Sequence, residues 1–389
     1  MLLDKLSLRN FRNYASLDLD LFPGKNVLLG DNGQGKTNIV EAVYLCGTGK
    51  SYRTPRDTEL IKWGESTFYT ASRFLRTGGD LLVEVACSRE RGKRVRINGI
   101  HQDTSMEYVG AANVVIFGPD DLQIIKGGPV ERRRFLDIEI SAVHEGYRKD
   151  LAQYRRILSQ RNAFLKDQRY TLKSVHGGAA IDVWDEQLVS VGVRIMIKRA
   201  QVIRSLSLMA QTAHKEISSD GVFKLEYRPS FCVTGIQNTD ETLIDLIAEE
   251  WSTLFHQELR RLRQVESMRG ITLVGPHRDD MGFTLDGVEM KVFGSQGQQR
   301  TAVLALRLAE LDFVRSEMGE DAILLLDDVS SELDPPKRAH LWKYIDRGIQ
   351  TIITTTDRRT LNEFSKPARI FKVESGSVQE VNKWQSELT

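Results

Sequence analysis

Cysteine is scarce in this chain. Cys46, Cys87 and Cys232 are the only three among 389 residues, too few and too scattered for a disulfide framework or a zinc site. They read as reduced thiols of a cytoplasmic protein. An excess of one charge is lacking too. Lysine and arginine number 54 against 53 aspartates and glutamates, a net charge of +1. No global basic field therefore draws the protein to a polyanion, and a nucleic-acid partner requires a local patch. Long apolar runs are missing. The start, MLLDKLSLRNFRNY, is interrupted by Asp4 and Lys5, which argues against a signal peptide or a membrane span. Internal repeats and low-complexity tracts are absent as well. Secreted scaffolds, zinc modules and membrane proteins are thereby set aside. What is present is 41% hydrophobic residues, enough for a real core, in a chain long enough for two domains.

The ends of the chain read differently from its middle. DKLSLRNF and SLDLDLF alternate as half-buried strands do, and GKNVLLG is a short buried strand ending in glycine. TNIVEAVYLC follows with helical spacing. LLVEVACSR and KRVRING, with turns at TGGD and NG, predict antiparallel strands. From Glu131 the chain becomes long, charged and helical, with runs over about 131–168, 180–217 and 241–268 around a strand-like VFKLEYRPSF. Paired long helices with charged faces suggest an arm. AILLLDD and TIITTT near the end are apolar or β-branched runs of the parallel-sheet kind. The expected architecture is an α/β head formed by residues 1–130 and 271–389, interrupted by a helical arm over 131–270.

Chemistry concentrates in three places. GDNGQGKT, comprising Gly30, Asp31, Asn32, Gly33, Gln34, Gly35, Lys36 and Thr37, fits the phosphate loop G-x-x-x-x-G-K-[ST] between a strand and a helix. Glycines let backbone N–H groups face phosphate oxygens, and the helix N-terminus adds positive dipole. Lys36 reaches the β- and γ-phosphates in such a loop and Thr37 ligates Mg²⁺. AILLLDDVSSELD carries Asp327 to a strand end, where an acid can hold the magnesium shell, and Asp328 follows as a candidate to polarise water. FGSQGQQR, with Ser295, Gln296 and Gly297, precedes a long apolar-periodic helix. It holds no nucleophile–base pair and no metal-ligand spacing. It can be a helix cap on Ser295, an anion site, or both, since a cap with free N–H groups also attracts anions.

Phosphate loop, SQGQQ and double acid occur in the order of the ABC-type ATPases, whose signature motif SQGQQ resembles. The resemblance goes further. LSLRNFRNY, GKSYRT, FGPDDLQIIKGGPVERRRFLD, QRNAFLK, GPHRDD, FGSQGQQR and LLLDDVSSELD together resemble the RecF family of bacterial recombination and replication-repair proteins, related to the SMC family, essentially from end to end. The resemblance implies an ABC-type ATPase head (mixed sheet, P-loop) with an inserted helical arm. It implies an ATP-dependent homodimer that binds gapped, single-stranded or duplex DNA, slow hydrolysis, and work with RecR and RecO to load RecA and induce the SOS response. Motif by motif, residues 30–37 hold ATP, Thr37 and Asp327 the magnesium, and Asp328 the catalytic water. Ser295, Gln296 and Gly297 act in trans on a partner's γ-phosphate, with Asp334 at the dimer interface.

This chain departs from the broader ABC pattern twice. Asp328 stands where transporters usually carry Glu, and TIITTTD offers Thr355, Thr356 and Asp357 where a histidine is usual. Hydroxyls are poor proton carriers near neutral pH, so ATP is expected to act as a clamp and timer. Gln123 is a candidate glutamine-loop residue by composition only. Lys50, Arg53 and Arg56 in GKSYRTPR, and Arg132 and Arg133 in ERRRF, are candidate DNA-phosphate contacts, as is the cluster Arg260, Arg261 and Arg263. No base-reading motif is present, so structure preference is expected over sequence preference. His277, Asp279 and Asp280 lie close together in GPHRDD, where a structural or dimer-contact role is expected rather than a metal. A transporter ATPase leaves the arm unexplained, and a metabolic P-loop kinase has no use for SQGQQ.

Overall fold

Short runs of apolar and β-branched residues build the middle of a sheet. β3 (Lys25–Leu29), β8 (Val114–Phe117), β12 (Ile323–Leu326) and β13 (Thr351–Thr355) are buried almost throughout, as strands covered on both faces must be. They pair in parallel with one another and with β14 (Ala368–Glu374), and β15 (Ser377–Val381) adds an antiparallel edge, in the order β15-β14-β3-β13-β12-β8. A second sheet is antiparallel throughout: β1 (Leu2–Phe11), β2 (Tyr14–Asp20), β4 (Thr67–Leu75), β5 (Leu81–Ser88), β6 (Gly92–Ile97) and β7 (Ile100–Gln102), ordered β2-β1-β4-β5-β6-β7. Helix α1 (Lys36–Thr48) is buried on nearly all faces and packs against both sheets. Its apolar residues reach both sheets, and the one acid among them, Glu41, is buried with partners in Arg12, Ser51 and Arg53. Ile39, Val40, Val43 and Leu45 join Leu6, Phe11, Phe68 and Val83 from one sheet and Leu28, Ile116 and Leu325 from the other in a single core.

This computed structural model describes residues 1–102, 110, 112–170, 177–218, 220–233, 244–329, 333–364 and 366–381. The chain divides into two compact units. The first comprises Met1–Leu122, Ala213–Ser219 and Gln296–Thr389, and holds both large sheets, α1, α8 (Gln296–Met318) and α9 (Pro335–Ile345). The second comprises Gln123–Thr212 and Asp220–Ser295. Its helices are most of α2 (Leu122–Lys126), α3 (Pro129–Val143), α4 (Glu145–Tyr170), most of α5 (Gly177–Ile217), α6 (Ile244–Arg269) and the short α7 (Met290–Phe293). A small antiparallel sheet belongs to it too, ordered β11 (Val288–Glu289), β10 (Asp280–Leu285), β9 (Phe223–Arg228). Among the described residues no helix is long and apolar enough to cross a membrane.

Buried charge ties the second unit together. Arg161 on α4 is fully buried and meets Asp185 on α5 at 2.7 Å and Glu266 on α6 at 2.8 Å, and donates to Thr272 Oγ1 at 2.8 Å. Arg199 on α5 meets Asp137 on α3 at 2.7 Å and donates to the Pro276 carbonyl at 2.6 Å. Buried ions persist only when paired and hydrogen-bonded in this way.

The GPHRDD segment lies in this second unit, because β10 begins at Asp280 and pairs with β9. Asp279 is buried, accepts from the Tyr227 hydroxyl and from the Ser230 N–H, and burial pushes its carboxyl up. Asp280 accepts from Nε and Nη2 of Arg132 on both its oxygens, at 2.6 and 2.9 Å. His277 Nε2 lies 3.1 Å from the Thr272 carbonyl, which can only accept, so this nitrogen carries the hydrogen. Nδ1 then accepts from the Tyr154 hydroxyl at 2.8 Å. These partners make the segment a structural knot.

A pH dependence follows. Burial lowers the His277 pKa from 6.5 to about 4. The unfolded chain binds this proton more readily, so the stabilising contribution is complete above pH 6.5 and is lost as pH falls through 4. Between pH 7 and pH 5 the expected loss is about 2 kcal/mol. Urea denaturation at the two pH values measures it. His277→Gln, which keeps one donor and one acceptor, removes that loss. The comparison cancels Asp279, whose raised pKa works in the opposite sense. An equal pH slope in both proteins would refute the assignment.

Candidate nucleotide site

The loop after β3 can be built only with glycine at two points. A Cβ on Gly30 would lie 2.3 Å from the Val373 carbonyl oxygen. Gly35 has φ +115°, and its Cβ would lie 2.5 Å from Asn13 Nδ2 and 2.8 Å from the Tyr14 hydroxyl; both constraints exclude a side chain. Asn13 Nδ2 donates to the Gln34 carbonyl at 2.9 Å and Tyr14 to the Gly35 carbonyl at 3.1 Å. From the β14–β15 turn, Ser375 N–H donates to Gln34 Oε1 at 2.6 Å. Asp31, Asn32 and Gly33 remain exposed. Lys36 opens α1, and its ammonium bridges the Gly30 and Asp31 carbonyls at 2.7 and 2.8 Å. Burial lowers its pKa, although Asp328, Asp327 and Asp31 pull the other way.

Thr37 and Asp327 meet. The Thr37 hydroxyl is 2.9 Å from Asp327 Oδ1, because β12, which delivers Asp327, lies in the same sheet as β3. Hydroxyl and carboxylate are hard oxygen donors, a set that suits Mg²⁺. Asp328 follows with φ +54°, a left-handed conformation that Asp tolerates better than most residues. Its N–H donates to Thr354 Oγ1 at 2.9 Å, and Thr354 in turn donates to Asp327 Oδ1 at 2.9 Å. Thr354 thus links the two acids. Thr355, one of the residues standing where a histidine is usual, donates to the Asp357 carbonyl at 3.3 Å.

Ser295, Gln296 and Gly297 are exposed at the start of the otherwise largely buried α8. Asp334 caps α9, accepting from the Lys337 N–H at 3.1 Å and from its ammonium at 2.7 Å. Residues 330–332 of the SSELD turn lie outside the described residues. Gln123 is exposed on α2.

The candidate DNA contacts separate. Lys50 and Arg56 are exposed. Arg53 is exposed but tethered, with Nη1 2.9 Å from Asn38 Oδ1 and 3.2 Å from Glu41 Oε2. Arg132 is buried and committed to Asp280 and the Gly127 carbonyl, so it is removed from the phosphate contacts expected of it. Arg133 is half-buried and donates to the Asp279 carbonyl at 2.7 Å. Arg263 pairs with Asp182 and Asp185.

Two features were not legible in advance. One is Tyr52, whose hydroxyl is 3.0 Å from Asp327 Oδ2. The other is a cleft of about 420 Å³ beside the phosphate loop, lined by Asn13, Asn38, Arg53, Ile61, Lys62 and Trp63. Trp63 is 94% exposed. No sequence pattern marks either, since the lining residues come from the β1–β2 turn, α1 and the loops after it.

The comparisons agree with one another. The family model described as RecF/RecN/SMC N terminal domain matches residues 2–379. The chain is 42% identical over 380 residues to the DNA replication and repair protein RecF of Symbiobacterium thermophilum, covering 97% of this chain and 98% of that one. It is 41% identical over 380 residues to its namesake from Geobacillus thermodenitrificans, covering 97% and 99%. Among solved structures, one described as the recombination mediator protein RecF-ATP in the RecFOR pathway is similar with a TM-score of 0.87 at 32% identity, covering 98% of this chain and 97% of that one. An Smc head bound to the winged-helix domain of ScpA, at 15% identity and a TM-score of 0.53, shares the fold. The chain belongs to the RecF family.

Proposed function

We propose that this protein is an ATP-dependent DNA clamp of recombinational repair and replication restart in the cytoplasm. The observation that carries the reading is the meeting of Thr37 and Asp327 at the mouth of a glycine-built phosphate loop. Backbone N–H groups of residues 30–37 and the Lys36 ammonium bind the ATP phosphates. Thr37 and Asp327 hold Mg²⁺, which neutralises charge on the transferring phosphoryl group when bound. Asp328 orients the attacking water as a general base. Ser295, Gln296 and Gly297 of one copy meet the γ-phosphate on a second copy, so ATP closes a homodimer. Asp334, which caps α9, lies at that interface. The closed dimer grips DNA at single-strand gaps or duplex junctions through patches that include Lys50 and Arg56. With RecR and RecO it promotes RecA loading and SOS induction, and slow, DNA-dependent hydrolysis releases it.

Fluorescence anisotropy of gapped, single-stranded and duplex DNA tests the reading. Binding is expected with ATP and Mg²⁺, and not with ADP. It should weaken steeply between 50 and 200 mM salt as counterions are released. DNA binding that ignores nucleotide would sink it.

The cleft beside Trp63 suits the adenosine end, its size lying within the range of small-molecule sites of about 300–1,000 Å³. Trp63→Ala is then expected to weaken ATP about 5–150-fold, since base–aromatic stacking is worth about 1–3 kcal/mol. Tripolyphosphate affinity should stay as it was. Calorimetry with both ligands decides, and equal losses for the two would place adenosine elsewhere.

A further inference from the structure

The Asp327 carboxylate is held by hydroxyls from three directions. Thr37 and Thr354 share Oδ1, each at 2.9 Å, and both belong to elements of the central sheet or the helix that follows it. Oδ2 receives the Tyr52 hydroxyl at 3.0 Å, and Tyr52 belongs to neither. It lies in the loop after α1, in the same GKSYRT stretch that presents Lys50 and Arg53.

That loop is fastened on both sides of the tyrosine. Ser51 Oγ donates to Glu41 Oε1 at 2.6 Å, and Arg53 Nη1 reaches Glu41 Oε2 at 3.2 Å. Glu41 is fully buried on α1. Arg12, from the β1–β2 turn, donates to both oxygens of the same carboxylate through Nε and Nη2, at 2.8 and 2.7 Å. The Tyr52 ring packs edge-on against Tyr44, with centroids 5.4 Å apart and an interplanar angle of 83°. A phenol fastened before, after and across its ring has little freedom to turn. The carboxylate oxygen can only accept, so the phenol is the donor in this bond. Two hydroxyls hold Oδ1, and the donor on Oδ2 fixes the remaining turn of the carboxylate about its Cβ–Cγ bond.

We propose that Tyr52 is a positioning residue for Asp327: its hydroxyl fixes Oδ2 and so leaves Oδ1, the oxygen shared with Thr37, to face the metal. Partners that orient a ligand in this way typically account for about 10–100-fold in metal affinity. The inference rests on the ATPase reading, since it gives Asp327 its metal. It adds a residue from outside the three ATPase motifs, and it ties the exposed basic loop to the metal carboxylate through a single hydrogen bond.

Tyr52→Phe removes the hydroxyl and keeps the ring on Tyr44. Three quantities are read: Mn²⁺ affinity by electron paramagnetic resonance in the presence of a non-hydrolysable ATP analogue, affinity for that analogue in EDTA, and the melting temperature without ligand. The expected result is Mn²⁺ binding about 10–100-fold weaker, with the other two unchanged. Wild-type Mn²⁺ affinity in the variant overturns the proposal. Equal losses of metal-free nucleotide affinity or a large drop in melting temperature also overturn it, because the tyrosine then acts only by packing. If the wild type itself shows no analogue-dependent Mn²⁺ site, the ATPase reading fails, and the role of Tyr52 fails with it.

Discussion

Ser295→Arg is expected to bind ATP as wild type does and to stay a monomer. Light scattering with ATP and Mg²⁺ should give twice the mass of one chain for wild type, and the mass of one chain for the variant. Ser295, Gln296 and Gly297 are exposed at the N-terminus of α8. A substitution there disturbs no core packing, and its cost to stability is at most that of a lost helix cap, about 0.5–2 kcal/mol. The proposed ATP site is built from other elements, the β3–α1 loop and the end of β12. What the variant loses is the approach of a second copy. A serine hydroxyl and a bare glycine backbone admit a phosphate closely, and a long arginine fills that space. If Ser295→Arg doubles its mass with ATP as wild type does, SQGQQ is a helix cap and the trans assignment is wrong.

Asp328→Asn is expected to do the reverse, holding the dimer closed. Positioned general bases contribute about 10²–10⁴ in rate, about 3–5 kcal/mol of barrier. Single-turnover phosphate release should slow by that factor, and the ATP-bound dimer should persist correspondingly longer. The variant retains the fold for a local reason. Asp328 has φ +54°, which asparagine adopts as readily as aspartate. The bond from its N–H to Thr354 is made by the backbone and survives. A rate within a few-fold of wild type would remove Asp328 from the chemistry and turn attention to Thr354, which lies between the two acids.

Much of the candidate site could be read from local pattern. GDNGQGKT follows a buried strand and opens a helix, and each part of that unit is determined by neighbours in sequence: apolar residues for the strand, Gly30 and Gly35 for the turn, α1 after them. ILLL is long enough only for a strand, and it ends on Asp327. The parallel sheet was legible because its strands carry apolar or β-branched residues on both faces. The antiparallel sheet was legible from its alternation and turns.

Charge was read less well. Arg132 and Arg133 look like a solvent-facing basic cluster, yet Arg132 is buried on Asp280, 148 residues away. Arg161, in a helix with many charges, proves to be fully buried. Helical periodicity reports which face is apolar, and it does not report which cation finds an acid on another helix. GPHRDD has the composition of a metal site, and only the pairing of β10 with β9 and the approach of Tyr154, Tyr227 and Arg132 make it a structural knot.

The phosphate-loop pattern, the acid pair and the succession of strands and helices can be read along the chain, because each depends on residues within a dozen positions of one another. Which groups meet at the acid pair depends on the folded chain. Tyr52 and Asp327 are 275 positions apart, and Thr37 and Asp327 are 290 apart. Contacts of that range depend on the order in which strands enter a sheet, and strand order leaves no mark on the local spacing of residues.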